Sequence, residues 1–286
     1  MNTTKRITGT SLPETAFRVH ETEKVLDISK ALEVLGGKLA AYRVRGFVPS
    51  DVCARITENF WTSPKKVPRP GVGDDGVEGY FIGASHYGKP TQQYLEEARG
   101  FESAVQSVYA GTVNPGLLFK QAIAAGNGHP IEVRPARSNG LSAGDSKAIH
   151  WTGTGTFLLE PHEDLAQLRG PEQSDFEIQE ITRVLAVNIY AEVPANTGQV
   201  QIWNVEPDDE TRADLGLMHE GFPYPPELLT AFPNFIVPVE TGDLCLFNGN
   251  LVHGVLRGEM TPSKKRRLLI TFFMGQKNDH EVIWWT

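Results

Sequence analysis

The stretch VLAVNIYAEVPANTGQVQIWNV, residues 184–205, decides the fold class. It holds two runs rich in β-branched and aromatic residues, and the turn-forming residues of PANTG separate them. Similar short runs lie on both sides, namely GTGTFLLEPH at 153–162, FIVPVETGDLCLFNG at 235–249 and RRLLITFFMG at 266–275. Short strands separated by Gly, Asn and Pro favour a sandwich or a barrel, since no helix alternates with them as in a parallel sheet.

The earlier part of the chain has a different character. Residues 1–22 are polar, and we expect a flexible arm there. Residues 23–130 carry helical patterns around a short strand, and we predict that they form a helical support for the β-rich core at 131–286. Ser50 is the predicted N-cap of the second helix. The expected molecule is therefore one domain over 1–286, mainly β with a helical N-terminal half.

Composition excludes several classes of protein. The 286 residues carry a formal net charge of −8, which argues against a nucleic-acid partner. Cys53 and Cys245 are far apart, so neither a cysteine-based zinc site nor a disulfide framework is expected. The sequence MNTTKRITGT has no apolar signal core, and no apolar run is long enough to span a bilayer. We expect a cytoplasmic protein with a small-molecule partner, and a homodimer is left open.

One apparent nucleotide motif fails in its context. GVGDDG at 71–76 matches G-x-G-x-x-G in letters only. It follows VPRP instead of a strand, and Asp74 and Asp75 would repel a pyrophosphate. A surface loop is the better interpretation.

PHEDLAQL, residues 161–168, places His162 two residues before Asp164 at the end of a predicted strand. Side chains two apart on a strand point to the same side, so these two can converge while Glu163 points away. A His–Asp pair by itself is more often an ordinary exposed pair than half of a metal site. The pair therefore needs support from elsewhere in the chain.

That support comes from GDLCLFNGNLVHGV at 242–255, which carries His253, and from Arg267 at the start of the next apolar strand. Two histidines and one carboxylate bind one face of Fe(II) and leave the other positions free. A buried arginine beside such a site can pair with a dicarboxylate. Taken singly, His253 fits a hydrogen-bonded core histidine and Arg267 fits a solvated charge. Their order on strands of one β-rich region favours the iron site.

At this point the chain resembles a known family, the Fe(II)/2-oxoglutarate-dependent oxygenases of the jelly-roll class. Within it, the chain is most similar to the N-substituted amino-acid hydroxylases and the free-standing alkaloid halogenases. The segments that carry the resemblance are YRVRGFVPSDVC at 42–53, VLAVNIYAEVPANTGQVQIWN at 184–204, ETGDLCLFNGNLVHGV at 240–255 and RRLLITFFMG at 266–275. The resemblance implies a double-stranded β-helix (jelly roll, cupin-like) over most of the chain.

The resemblance also implies roles for individual residues. His162, Asp164 and His253 would be the ligands of Fe(II). Arg267 would hold the distal carboxylate of the co-substrate 2-oxoglutarate, with Arg266 as the alternative because the doubled arginine leaves the register open by one. Two further positions complete the set, Asn188 as a polar contact to the co-substrate and Trp203 as a pocket residue, although a backbone-bonded Asn and a core Trp fit these positions equally well.

The implied reaction uses Fe(II), 2-oxoglutarate and dioxygen to hydroxylate an unactivated C–H bond of a small molecule, with formation of succinate and CO2. The expected substrate is an amino acid or an amino-acid derivative, and an alkaloid or a nucleotide is left open. Halogenases of the family lack the ligand carboxylate, so Asp164 favours hydroxylation over halogenation. A non-catalytic jelly-roll protein with a structural metal is the remaining alternative. It would require a fourth ligand, for which His150 and Glu160 are the nearest candidates.

The sequence says least about the substrate pocket. We expect its residues to come from EGYFIGASHYGKP at 78–90 and from LGLMHEGFPYPPELL at 215–229. The candidates are Tyr80, Phe81, His86, Tyr87, Lys89, His219, Phe222 and Tyr224, each of which could equally be an ordinary loop or packing residue. Residues 206–230 are a candidate lid over the iron.

Overall fold

The computed structural model describes residues 5–69, 78–126, 128–258 and 266–286. Within these ranges there are six α-helices and eighteen β-strands. The helices are α1 (Ile28–Leu35), α2 (Ser50–Thr62), α3 (Thr91–Val108), α4 (Pro115–Ala125), α5 (Asp209–Leu215) and α6 (Pro226–Leu229). The strands are β1 (Gly9–Thr10), β2 (Val19–Glu23), β3 (Ala41–Arg45), β4 (Val67–Pro68), β5 (Gly79–Ile82), β6 (Glu132–Pro135), β7 (Arg137–Ser138), β8 (Leu141–Ser142), β9 (Lys147–Trp151), β10 (Phe157–His162), β11 (Val184–Glu192), β12 (Val200–Trp203), β13 (Glu206–Pro207), β14 (Asn234–Val237), β15 (Leu244–Asn248), β16 (His253–Leu256), β17 (Leu268–Asn278) and β18 (Glu281–Trp285).

Two sheets form the core. The main sheet has ten strands and runs β2-β3-β15-β11-β17-β9-β5-β4, with β18 beside β17 and β6 beside β18. The minor sheet has four strands in the order β10-β16-β12-β14. One buried cluster contains Tyr190 and Leu269 from the main sheet together with Val200 and Ile202 from the minor sheet. The two sheets therefore pack face to face, as in a jelly roll.

Alternation along each strand sets the two faces of the main sheet. On β11, Ala186 and Tyr190 belong to the cluster between the sheets, whereas Val187 and Ile189 belong to a second cluster on the outer face. Apolar residues of α1, α2, α3 and α4 complete that outer cluster. The helices thus cover the outside of the main sheet, and the inner face of the sheet is directed toward the minor sheet.

The β-rich core agrees with the sequence-based expectation, but residues 23–130 contain more strand than expected. Four helices lie in this part of the chain, and β3, β4 and β5 lie between them and join the main sheet. β3 corresponds to the short strand that the sequence predicts, whereas β4 and β5 were missed because their sequences, VP and GYFI, are too short to show a period. The predicted N-cap of the second helix is also wrong. Pro49 is the N-cap of α2, and Ser50 is its first helical residue.

Residues 5–22 differ from the expected flexible arm. β1 pairs with β13, and β2 pairs in parallel with β3. Ile7 is buried, and the Ser11 hydroxyl donates to the Asn204 carbonyl at 2.7 Å. The loop expected at 71–76 lies outside the described residues. None of the helices in the described part of the chain has the length and apolar character to cross a membrane.

Residues 206–230 pack against the outer face of the minor sheet. Leu217, Tyr224 and Leu229 are buried there in one cluster with Trp203. Arg212 of α5 is 4% exposed and forms an ion pair with the fully buried Glu163, with Nε and Oε1 2.9 Å apart. A lid that moves as a whole would have to break these contacts. The expectation of a lid over 206–230 is therefore not supported.

The buried ion pair gives a test of this packing. Arg212→Met should lower the free energy of unfolding by about 3–5 kcal/mol, because Glu163 would keep a buried charge without its partner. Arg212→Met combined with Glu163→Gln should be less destabilised, since the buried charge is then removed. Urea unfolding with a chelator present measures both values without a contribution from bound metal.

The matched control is Arg169→Met, because Arg169 is 40% exposed and also pairs with a carboxylate, that of Asp209. We expect it to change the unfolding free energy by less than about 1 kcal/mol. An Arg212→Met protein as stable as this control would contradict the anchoring role of the pair.

Candidate active site

His162, Asp164 and His253 converge at one edge of the minor sheet. β10 pairs with β16 in an antiparallel register that sets His162 directly opposite His253, and the two ring centroids are 4.2 Å apart. Asp164 follows two residues after His162, beyond the end of β10. All three residues are buried, and one potential ligand atom from each lies within 4.8 Å of the others. The structure thus brings together the three residues that the sequence singled out.

Hydrogen bonds fix the tautomer of both histidines. The Nδ1 atom of His162 lies 2.8 Å from the Glu160 carbonyl, and that of His253 lies 2.9 Å from the Leu251 carbonyl. A carbonyl oxygen only accepts, so Nδ1 carries the proton in each ring and the lone pair remains on Nε2. These Nε2 atoms lie 3.8 and 3.6 Å from the Asp164 carboxylate. Metal-binding histidines are commonly oriented by such bonds.

The electrostatics of the cluster suit a cation. Burial lowers the pKa of His253 to about 4 and holds the pKa of His162 well below its usual range, so both rings are neutral, as metal binding requires. Burial, with the charge of Glu163, raises the pKa of Asp164 well above its usual range. A divalent cation would reverse that penalty by stabilising the carboxylate. The donor set therefore fits a transition metal such as iron.

Backbone hydrogen bonds fix the position of Asp164. Its N–H donates to the Gly249 carbonyl at 2.7 Å, and the Gly249 N–H donates to the Val184 carbonyl at 2.7 Å. A Cβ at position 249 would lie 2.5 Å from the Asp164 Oδ2 atom, so only glycine leaves space for the carboxylate. Within the described ranges this buried Oδ2 has no hydrogen-bond partner. The atom is thus free for a ligand role.

A closed structural metal site is not formed by the described residues. The three-residue group contains no fourth His, Cys, Asp or Glu among them. The His150 ring faces away, with its centroid 5.0 Å from that of Trp61 and its Nδ1 atom 2.7 Å from the Arg267 carbonyl. Glu160 contributes its backbone carbonyl to His162 and is not in the group. Three ligands on one side leave the other side of a metal open.

Arg267 and Arg266 lie on opposite sides of the sheet. Arg267 is 4% exposed, and its Nε and Nη1 atoms are buried without a hydrogen-bond partner in the described part of the chain. Its guanidinium lies 4.4 Å from the Trp151 ring centroid. Arg266 instead stacks on Trp61 outside the sheet, at 3.2 Å from the ring centroid. Arg267 is therefore the arginine that faces the interior.

Burial lowers the pKa of the Arg267 guanidinium. A buried cation with unsatisfied donors is costly, and an anion placed beside it would remove the cost. Gly198 makes room for the side chain, because a Cβ there would lie 2.3 Å from the Arg267 Nε atom. The surroundings of Arg267 thus have the properties of a carboxylate-binding position.

The remaining sequence-based candidates separate into two groups. Phe222 lies near the cluster, with its ring centroid 6.3 Å from that of His162, and Phe81 packs against the cluster between the sheets. Asn188 is partly exposed on β11, opposite Thr271 of β17. Three of the others pack elsewhere, since Tyr80 lies against Trp61 outside the sheet, and Tyr224 and Trp203 belong to the buried cluster on the outer side of the minor sheet. Lys89 pairs with Glu97, and Tyr87 and His219 are exposed. His86 is buried beside Gln173, and burial lowers its pKa to about 4.

Sequence reasoning missed β9, which supplies Lys147 and Trp151 to the site region. Its sequence, KAIHW, alternates so that Lys147, Ile149 and Trp151 share one face. The alternation was a detectable signal, but five residues are few for a strand prediction. Tyr190 was also missed as a neighbour of Arg267, at 5.6 Å from its ring centroid.

Comparison with known proteins agrees with this arrangement, although no protein-family model matches the chain. The chain is 30% identical over 257 residues to an L-isoleucine 3(1)-dioxygenase of Pantoea ananatis (strain AJ13355), a match that covers 86% of this chain and 83% of the relative. Its fold is similar to that of an N-substituted L-amino acid dioxygenase from Burkholderia ambifaria AMMD, with a TM-score of 0.56, 11% identity and 91% of each chain covered. It is also similar to the α-ketoglutarate-dependent epimerase SnoN of nogalamycin biosynthesis, with a TM-score of 0.51, 14% identity, and 87% of this chain and 84% of SnoN covered.

The identity and coverage of the L-isoleucine dioxygenase match establish the family, and the two structural matches confirm the sheet-rich oxygenase fold. The resemblance drawn from the sequence is thereby confirmed. The chain belongs to the Fe(II)/2-oxoglutarate-dependent dioxygenases, the family of its L-isoleucine dioxygenase relative.

Proposed function

We propose that the protein hydroxylates an unactivated C–H bond of an amino acid or an amino-acid derivative and converts 2-oxoglutarate to succinate and CO2. One observation carries the proposal. The cluster of His162, Asp164 and His253 lies at the edge of the minor sheet, and Arg267, whose Nε and Nη1 atoms have no partner among the described residues, lies beside Trp151 and Tyr190 on the inner face of the main sheet. This combination supplies a metal site with one open side and a separate position for a dicarboxylate.

In this proposal His162, Asp164 and His253 hold Fe(II) through two Nε2 atoms and one carboxylate. Bound iron would supply the activation of dioxygen, which no side chain can provide. The protein fixes the three donors before the metal binds, since carbonyl groups orient both rings and Gly249 positions Asp164. Burial keeps both imidazoles neutral, so no proton has to leave them when a cation binds.

Arg267 would hold the distal carboxylate of 2-oxoglutarate. Its Nε and Nη1 atoms have no partner among the described residues, so the guanidinium has donors available for charge-assisted hydrogen bonds to a carboxylate. Trp151 and Tyr190 flank the guanidinium and restrict its orientation. Because this position is enclosed, water competes poorly for the charged pair. Asn188 on β11 faces the same space and offers an amide to the co-substrate.

The named relatives and two apolar side chains near the site support this substrate class. The L-isoleucine 3(1)-dioxygenase of Pantoea ananatis and the N-substituted L-amino acid dioxygenase of Burkholderia ambifaria are both named for amino acids. Phe222 beside His162 and Phe81 on the inner face would suit an aliphatic side chain. Asp164 disfavours halogenation, because a halide would need the position that this carboxylate takes. The open side of the metal site disfavours a purely structural ion.

Turnover tests the proposal directly. Purified protein should form succinate together with a product heavier by one oxygen atom when it is given an L-amino-acid panel that includes L-isoleucine. Formation should require Fe(II), 2-oxoglutarate and dioxygen, and liquid chromatography with mass spectrometry measures both products. Protein that binds neither Fe(II) nor 2-oxoglutarate would refute the proposal.

Replacing the carboxylate tests the ligand set. Asp164→Gly should reduce hydroxylation at least about 100-fold, because iron loses an anionic ligand, and it should make weak halide binding measurable beside the metal. The matched control is Asp279→Gly, since Asp279 lies in the exposed turn between β17 and β18. Unchanged hydroxylation in Asp164→Gly would show that Asp164 is not a ligand.

The two adjacent arginines provide their own control. Arg267→Gln should weaken 2-oxoglutarate binding at least about 30-fold, because a buried charge-assisted pair is lost. Arg266→Gln should leave that binding nearly unchanged, since Arg266 stacks on Trp61 on the other side. Calorimetric titration with Fe(II) present and oxygen excluded gives both dissociation constants. A larger effect at Arg266 would reverse the assignment.

A further inference from the structure

Lys147, at the start of β9, is a cation that the proposed chemistry does not use. It is partly buried, and it makes no hydrogen bond or ion pair with any residue that the structure describes. Most buried lysines have a partner, because the charged amine is costly to desolvate. An unpartnered lysine inside a binding region is a candidate for ligand recognition.

Strand register places Lys147 on the inner face of the main sheet. It lies opposite Thr271 of β17, and Thr271 lies opposite Asn188 of β11. Directly paired residues on neighbouring strands face the same side, with Cβ atoms about 5 Å apart. Two residues further along these strands, Ile149 and Leu269 belong to the cluster between the sheets. The row of Lys147, Thr271 and Asn188 therefore faces the space between the sheets.

The exposure of this row shows that the space is accessible. Lys147, Thr271 and Asn188 are each partly exposed, although all three lie on strands inside the ten-stranded sheet. Their chain neighbours Ala148 and Ile270, which point to the helical side, are buried. Partial exposure of a row on the inner face indicates that protein atoms do not fill all of the space beside it.

The row and Arg267 lie at different levels of the inner face. Arg267 precedes Thr271 by four residues, which is about 13 Å along an extended chain at 3.3 Å per residue. A ligand held by Lys147 would thus leave the position of Arg267 free.

The charges around Lys147 suit an anion. Burial, together with the charges of Arg69 and Lys89, lowers the pKa of its ammonium group to about 8. Arg69 lies near the Trp151 ring, at 4.9 Å from its centroid, and Lys89 is paired with Glu97. A carboxylate placed beside Lys147 would relieve this repulsion and favour the charged amine.

We propose that Lys147 binds the α-carboxylate of the amino-acid substrate and so selects substrates that carry a free carboxylate. This inference rests on the proposed function. Among the interior cations, Arg267 is assigned to the distal carboxylate of 2-oxoglutarate, and the other end of that molecule belongs at the metal. The substrate carboxylate then requires a cation of its own. Lys147 supplies it, with the hydroxyl group of Thr271 beside it on the same row.

The test uses the amino acid that the turnover panel identifies and its carboxamide analogue. Wild-type protein should prefer the acid over the amide by about 100-fold in kcat/KM, since a buried charge pair is at stake. Lys147→Met should reduce kcat/KM for the acid by a similar factor, chiefly through KM, and should hardly change kcat/KM for the amide. This non-additivity isolates the contact between Lys147 and the carboxylate.

Binding provides a second readout. Calorimetry with Fe(II) and 2-oxoglutarate bound and oxygen excluded should show the same loss of affinity for the acid in Lys147→Met. Affinity for 2-oxoglutarate should stay unchanged, and Lys147→Arg should restore most of the acid preference. The matched control is Lys30→Met, because Lys30 lies on the surface of α1 in a pair with Glu33 and should have no effect. Thermal melting shows that each variant is folded.

The possible results distinguish an error in the Lys147 assignment from an error in the proposed function. Lys147→Met protein that binds the acid as tightly as wild type, while wild type turns it over, would refute the role of Lys147 and leave the proposed function intact. Weaker binding of 2-oxoglutarate in Lys147→Met would assign this lysine to the co-substrate instead. Wild-type protein that binds Fe(II) and 2-oxoglutarate but converts no amino acid would overturn the proposed substrate class, and the Lys147 assignment with it.

Discussion

The antiparallel pairing of β10 with β16 is the contact on which the candidate site depends. It joins segments that are far apart in the chain and sets His162 opposite His253. Each ring is oriented by a carbonyl two residues away on its own segment, and the pairing of the strands brings the two oriented rings together. A slip of one residue in this register would turn one histidine to the other face of the sheet. The register thus determines both the minor sheet and the metal-binding geometry.

Some of the polar groups without partners lie around the space between the sheets. Within the described residues, the Asp164 Oδ2 atom and the Arg267 Nε and Nη1 atoms are buried without a hydrogen-bond partner. The partly buried Lys147 makes no ion pair among these residues. Each such group lowers the stability of the fold when it is buried. The large apolar clusters on both faces of the main sheet compensate for this cost. The fold therefore keeps unsatisfied groups where ligands of opposite charge can bind, which is the arrangement expected of a preorganised site.

The contacts behind the metal-binding turn keep the site rigid. Glu163 points away from its two neighbours and accepts hydrogen bonds from the Leu165 and Ala166 N–H groups as well as from Arg212. Its own N–H donates to the Gly221 carbonyl, next to Phe222. The segment 206–230 is consequently a support for the turn on the outer side of the minor sheet.

The β-rich core, the family and the three residues that converge at the site could be predicted from the sequence, because period-two strands and a His-x-Asp pair are local patterns. The other assignments required the folded structure. It separated Arg267 from Arg266, since a doubled arginine fixes no register until β17 pairs with β11 and β9. It excluded His150 as a ligand, because strand pairing turns that ring toward Trp61. It also brought Lys147 into the interior and placed residues 206–230 outside the sheet, since both depend on contacts between segments distant in the chain.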